Sequence, residues 1–386
     1  MTVKTKKLTP VMGWNSYCNC DCSPSEKIIT DAADALVRLG LSDLGYNMVG
    51  LDDGYLGRER NAEGQLVWKE DIFPHGMKWL TDYIHSKGLL AGCYLGCGLT
   101  TWWGDAGTLG HEFEDAKRIA EWGFDLVKYD NHPTDQDGER NLVKEYIKMG
   151  IALKNCGRDI IFAMCEHGAT RPWLWAHGVG DMWRVGGDIR DNFSRETDQY
   201  RGILGAMDEY GSDSTPHTRV GGISDPDFLV VGIKGNSQFM ELGNGLTDAE
   251  GRTQFALWCM TSSPLIIGAD LNKLDEESLR TLKNKNLIAI DQDPLVIPAR
   301  RVSSEYHGRE LWVKEMSDFR WAVAVLNRGP NPNRFSFRWE EVGLAGGIGM
   351  TVRDEWTGEE FPEQFGVFSC DVASHDTRVF TLTPEM

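Results

Sequence analysis

The sequence predicts a (β/α)8 TIM barrel followed by a C-terminal antiparallel β-sandwich, and three observations carry that prediction. After residue 25, a short apolar run ending in polar residues is repeatedly followed by a helical stretch closed by glycine. Four such runs start near residues 48, 89, 124 and 159, so successive starts lie 41, 35 and 35 residues apart. That spacing suits strand–loop–helix–loop units. After Asp291-Gln292-Asp293-Pro294 the helical period stops and short β-rich runs take over.

Val11 to Trp14 is the first strand. Ser23-Pro24-Ser25-Glu26 reads as N-cap, first-turn proline and capping-box glutamate of the first helix. Ile28, Ile29, Ala32, Ala33, Leu36 and Val37 follow its 3.6-residue period, and Gly40 or Gly45 ends it. Tyr46 to Leu51 is the second strand and stops at Asp52-Asp53-Gly54. Met77, Leu80, Tyr83 and Ile84 mark a helix closed by Gly88, before the strand Leu89 to Tyr94. Phe113, Ala116, Ile119 and Ala120 mark the next, closed by Gly123; Phe124 to Val127 then leads into Lys128-Tyr129-Asp130. Leu142, Val143, Tyr146, Ile147 and Ile151 mark another, closed by Gly157; Ile160 to Met164 leads into Cys165-Glu166-His167. Met182 to Asp188, Phe228 to Val231 and Leu265 to Ile267 bring the strands to eight, the number of a (β/α)8 barrel. A doubly wound sheet is the alternative, but no Gly-rich phosphate loop follows the first strand. The β-rich runs 311–313, 321–326, 350–353 and 378–382 lie between turn signals such as Arg328-Gly329-Pro330 and form the sandwich. The barrel is assigned to residues 1–297 and the sandwich to 298–386.

The 386-residue chain carries 40 Lys+Arg against 58 Asp+Glu, a net charge of −18. That excess disfavours nucleic acid and anionic membrane as partners. No apolar run reaches 18 residues, so no membrane span is expected. Met1 to Pro10 is basic and lacks the apolar core of a secretory signal, which makes the cytoplasm the expected location. Nine cysteines, an odd number, cannot all pair within the chain. A homo-oligomer is possible, with the sandwich as its interface.

In a barrel of this kind the active site forms at the carboxyl ends of the strands. Those ends supply Trp14, Asp52-Asp53, Tyr94, Lys128-Tyr129-Asp130, Glu166, Arg184, Asp188, Asp225 and Asp227. Histidine pairs at metal spacing and a phosphate-gripping loop are absent, so neither a metal nor a cofactor is expected. Carboxylates accept hydrogen bonds from vicinal hydroxyls, and aromatic faces cover the apolar side of a pyranose. Two carboxyls in different environments serve glycosidic cleavage. Lys128 and Asp130, two apart on a strand, point the same way. A neighbouring ammonium would hold Asp130 ionised, as a nucleophile requires. Asp188 follows the Gly186-Gly187 turn, which lets its carboxyl reach a glycosidic oxygen. Composition alone does not decide which acid plays which part.

Met12-Gly13-Trp14-Asn15-Ser16, Leu51-Asp52-Asp53-Gly54, Lys128-Tyr129-Asp130-Asn131, Cys165-Glu166, Trp183-Arg184 with Gly187-Asp188-Ile189, and Gly222 with Asp225-Pro226-Asp227 follow one another along the chain. Together with Ser263 to Gly268 and Ala289 to Pro294, they resemble glycoside hydrolase family 27, which contains α-galactosidases and α-N-acetylgalactosaminidases. The resemblance spans about residues 10 to 295. It implies a retaining, metal-independent hydrolase of terminal α-galactose on oligosaccharides or glycoconjugates. Asp130 matches the nucleophile and Asp188 the acid/base. Asp52, Asp53, Lys128 and Arg184 match contacts to sugar hydroxyls, and Tyr94 an aromatic lining residue. Tyr17 falls where the family usually has Trp. Trp14 fits either the barrel core or the sugar site, and Asp227 either the sugar or Arg184; both are counted with the substrate contacts. Glu166 matches an acid set against the 2-hydroxyl, which favours galactose over N-acetylgalactosamine, although Ala169 is smaller than the galactosidase residue there.

The resemblance leaves three rivals: α-N-acetylgalactosaminidase, β-L-arabinopyranosidase and a catalytically silent sugar-binding barrel. Intact Asp52-Asp53 disfavours the pentose, and both catalytic acids disfavour the silent barrel. Three departures from the family stand out. His132 and Gly54 replace common half-cystines, and His167 stands where a Trp is frequent. The disulfide framework is thus incomplete, which agrees with a reducing compartment. Cys18, Cys20 and Cys22 alternate, which in an extended segment places all three thiols on one side. No CxxC spacing or nearby His completes a metal site around them, so they read as inert or adventitiously oxidised thiols.

Overall fold

The computed structural model describes residues 9–132, 140–194, 200–211, 217–235, 245–306 and 308–385. Most of the basic N-terminal stretch lies outside them. Eight parallel strands form the barrel: β1 (Met12–Asn15), β2 (Met48–Leu51), β3 (Leu90–Gly96), β4 (Leu126–Asp130), β5 (Ile161–Cys165), β6 (Met182–Arg184), β7 (Ile223–Asp225) and β8 (Leu265–Ile267). Strands adjacent in sequence pair from β1 to β7, and β8 returns to β1 with Met12 opposite Leu265.

Two strands differ from their sequence assignment. The seventh is Ile223–Asp225, paired with β6, and not the 228–231 run. Pro226 has no amide hydrogen to continue the ladder, and Asp227 turns the chain at φ +91°. The 228–231 run instead closes the barrel: the Leu229 amide donates to Ile266 O (2.8 Å) and the Gly268 amide to Leu229 O (2.9 Å). The sixth strand stops at Arg184, because the Gly186-Gly187 turn folds back and places both carbonyls on the Arg184 guanidinium. Asp188–Ile189 then pairs separately with Tyr200–Arg201.

The first long helix is Glu26–Arg38. Its cap is Ser25, not Ser23: the Ser25 hydroxyl accepts the Ile28 amide at 3.3 Å from an extended backbone. Helices Gly76–Ser86, Glu112–Trp122 and Leu142–Lys154 follow at the expected places. Each lays its apolar stripe on the outside of the barrel, with Ile29, Leu36, Leu80, Ile119 and Tyr146 in one continuous core. Inside the barrel, Val11, Met48, Leu90, Leu126, Ile161, Met182 and Ile223 fill the end where the strands begin. Each such side chain contributes about 1.5–3 kcal/mol by leaving water. The other end is left to polar side chains.

The last barrel helix ends at Asp291 and the first sandwich strand starts at Arg300. A six-stranded antiparallel sheet packs with the antiparallel pair Asn333–Arg338 and Val367–Val372 around Leu311, Val323, Phe337, Trp339, Phe368 and Phe380. Helix Asp248–Met260 is buried along most of its length because it lies between barrel and sandwich. Arg252 pairs with Asp376 at 2.7 Å across that boundary, and Phe193 stacks on His375. Among the described residues, no helix is long and apolar enough to cross a membrane.

Candidate active site

The polar ends of the strands meet in one cavity of about 540 Å³. Of the residues expected there, Tyr17, Asp52, Asp53, Tyr94, Lys128, Asp130, Arg184, Asp188 and Asp227 all line it. Trp14, Tyr129, Glu166 and Asp225 do not. The Trp14 ring is fully buried and its indole donates to Ala269 O at 2.9 Å, so it belongs to the barrel core. Glu166 is also buried, and its carboxylate accepts the Thr170 amide at 2.7 Å. Burial pushes that carboxyl up to about 7. The residue that enters the cavity from this loop is its neighbour His167.

Asp52 follows the end of β2, and Lys128 Nζ reaches across β3 from β4 to bond its Oδ2 at 2.9 Å. The same ammonium sits 5.1–5.5 Å from the ring centres of Tyr17, Tyr94 and Phe228, in a cage that lines the cavity. Asp53 turns the other way and accepts amides of Gly54 (2.8 Å) and Trp103 (3.0 Å). Burial outweighs these bonds and raises its carboxyl to about 7. Arg184, nearly fully buried, reaches Asp227 Oδ2 at 3.0 Å and Asp188 Oδ1 at 3.2 Å. Asp227 also accepts the amides of Ile189 (2.9 Å) and Phe228 (2.8 Å). Its positive φ is the kind of local strain that a site stores.

Asp130 is anchored by Tyr94 O–H (2.9 Å) and by the Asn131 amide (2.8 Å). Lys128, expected to hold it ionised, bonds Asp52 instead. Burial therefore prevails and Asp130 lies above the usual carboxylate range, with His167 and Lys128 only opposing the rise. Asp188 is the reverse. Burial pushes it up, but the His167 bond and the Arg184 charge pull it well below. His167 stands between the two acids, with Nε2 3.4 Å from Asp188 Oδ1 and 3.9 Å from Asp130 Oδ1. Sequence reasoning noted His167 only as a departure. Arg190 and Tyr200, stacked at 3.7 Å in the cavity wall, were missed altogether, because neither stands at the end of a barrel strand.

The cysteine trio is not extended. Tyr17–Cys20 is a helical turn, and Asp21 reverses the chain at φ +53°. Cys18 and Cys22 line the cavity, while Cys20 Sγ turns to Ser16 O at 3.3 Å. All nine cysteines are free thiols. Burial pushes the Cys20 thiol up to about 12 and Cys18 and Cys22 well above the usual range, so none is a thiolate at neutral pH. Where His132 replaces a half-cystine, its ring packs on Trp102 at 4.3 Å.

Paired acids, a buried cation and aromatic walls at the mouth of a parallel barrel, with a sandwich behind it, define a glycoside hydrolase. Residues 9–293 match the family described as Alpha galactosidase A, and residues 306–382 match the Alpha galactosidase C-terminal beta sandwich domain. The chain belongs to this α-galactosidase family. It is 37% identical to an α-galactosidase of Oryza sativa subsp. japonica, over 97% of this chain and 85% of that one. It is 38% identical to α-galactosidase 2 of Arabidopsis thaliana, over 97% and 90%. The crystal structure of α-galactosidase I from Mortierella vinacea superposes with a TM-score of 0.90 at 30% identity, covering 97% of each chain.

Proposed function

We propose that the protein is a retaining exo-α-galactosidase that releases terminal α-linked galactose from oligosaccharides or glycoconjugates. The observation that carries this reading is the pair Asp130 and Asp188, set either side of one imidazole nitrogen at 3.9 and 3.4 Å and flanked by Lys128 and Arg184. In its ionised form Asp130 attacks the anomeric carbon and forms a β-linked glycosyl-enzyme, while the departing oxygen receives, through Asp188, the proton that Asp188 shares with His167 (Oδ1 to Nε2, 3.4 Å). Asp188 then takes a proton from water, which releases galactose with its α configuration. Asp52, Asp53, Lys128, Arg184 and Asp227 hold sugar hydroxyls, and Tyr17 and Tyr94 cover the ring. Glu166 is tied to Thr170, so preference for galactose rests on the named activity of the relatives and on the acids at β2. Nine unpaired thiols support a reducing compartment such as the cytoplasm.

A panel of nitrophenyl glycosides tests the substrate: the α-galactoside should turn over far faster than the α-N-acetylgalactosaminide and the β-L-arabinopyranoside. Proton NMR of the first product tests the stereochemistry. α-Galactose appearing first supports double displacement, and β-galactose appearing first rejects it.

A further inference from the structure

We propose that Asp130, Cys165 and His167 bind a thiophilic divalent cation such as Zn²⁺ or Cd²⁺, and that the bound ion blocks the cavity. Asp130 and Cys165 end neighbouring strands and stand opposite each other in the β4–β5 ladder. His167 follows two residues later in a left-handed backbone, φ +56°. One carboxylate oxygen, one sulfur and one imidazole nitrogen therefore lie within 4.8 Å of one another. Two of the edges are 3.7 Å (Nε2 to Sγ) and 3.9 Å (Nε2 to Asp130 Oδ1).

Bonds of about 2.0–2.3 Å in a tetrahedral zinc site place ligand atoms roughly 3.3–3.8 Å apart. The two edges thus need only small side-chain movements to reach that geometry. Three protein donors leave one position open, and Asp188 Oδ1 lies 3.4 Å from the same nitrogen to fill it or to bond a water there. A sulfur and an imidazole select zinc-like ions over Mg²⁺ or Ca²⁺. The local charge permits a cation, because Lys128 and Arg184 are each matched by an acid, Asp52 at 2.9 Å and Asp227 at 3.0 Å. Asp188 is shared with Arg184 at 3.2 Å, which leaves the Asp130 carboxylate to meet the cation. Cys165 is in no disulfide, and the Arg184 Nη1 hydrogen bond to its Sγ (3.8 Å) favours the thiolate that a metal requires. Ligand spacing in the sequence gave no hint of the site, since its donors come from the ends of two strands and one turn.

Binding does not depend on the hydrolase reading; inhibition does. Cd²⁺ is titrated into the full chain while thiolate-to-metal absorbance in the ultraviolet is followed. Hydrolysis of nitrophenyl α-galactoside is measured at the same Cd²⁺ and Zn²⁺ concentrations. The expected result is one thiolate band per chain whose midpoint matches that of inhibition, with both reversed by EDTA and both weakened by galactose. Cys165→Ser should abolish the band. His167→Gln and Asp130→Asn should weaken binding by more than about tenfold, and Cys20→Ser should leave it in place. A zinc-dependent rise in melting temperature, present in the wild type and lost in the folded variants, gives a second readout. A band that survives Cys165→Ser, or a midpoint unmoved by His167→Gln, overturns the proposal. If the band behaves as expected but the metal-free protein hydrolyses no galactoside, the metal site stands and the hydrolase reading falls.

Discussion

Lys128 and Asp52 form an ion pair across the barrel mouth, Nζ to Oδ2 at 2.9 Å, with the Asp52 carboxylate almost fully out of water. Removing one partner strands the other, and a buried unpaired charge costs about 3–5 kcal/mol. Lys128→Met should therefore lower both the melting temperature and the hydrolysis of an α-galactoside. Lys128→Met combined with Asp52→Leu should restore most of the stability, because an apolar pair of similar volume replaces the ion pair. It should not restore hydrolysis. Recovery of activity in the double variant would remove this pair from substrate binding.

The two acids should be separable by azide. Asp130→Ala leaves no nucleophile, so azide attacking an α-galactoside directly gives the β-galactosyl azide. Asp188→Ala still forms the glycosyl-enzyme from a good leaving group, and azide then gives the α-galactosyl azide. Loss of general acid catalysis costs about 10²- to 10⁴-fold and falls hardest on substrates with poor leaving groups. The same anomer from both variants would contradict the assigned roles.

Asp53 couples stability to pH. Its carboxyl is raised by burial to about 7 in the folded chain, whereas an unfolded Asp titrates near 3.9. Between those values the folded state holds the proton and the unfolded state does not, so its contribution is present below pH ~4 and is lost as pH rises through about 7. Asp53→Asn removes that slope. Thermal melts from pH 4 to 8 should show the wild type losing about 1–3 kcal/mol relative to the variant. Parallel curves would show that Asp53 does not carry the effect.

Gly54 replaces a half-cystine of the family and makes a contact that no side chain permits. A Cβ there would lie 2.1 Å from the Cys22 carbonyl oxygen, and the backbone has φ +100°. Gly54→Ala should cost about 2–4 kcal/mol, since neither backbone can yield cheaply. It should also raise KM, because Cys22 and Asp53 both line the cavity. Urea denaturation beside kinetics checks both effects.

The sequence by itself determined the architecture and the acids of the site. Period-3.6 helices alternating with apolar strands admit few folds, and acids at strand ends converge wherever such strands close. Asp52, Lys128, Asp130 and Arg184 were legible for that reason. Tertiary structure decided what depends on neighbours across the sheet. Pro226 shifted the seventh strand, because a missing amide hydrogen matters only where a ladder must continue. Trp14 went to the core and Glu166 behind the wall, since pleat and loop conformation set the direction of a side chain. Lys128 paired with Asp52 on the next-but-one strand and not with Asp130 two residues away. His167 came to lie between Asp130 and Asp188 for the same reason: distance in space, not in sequence, governs electrostatics.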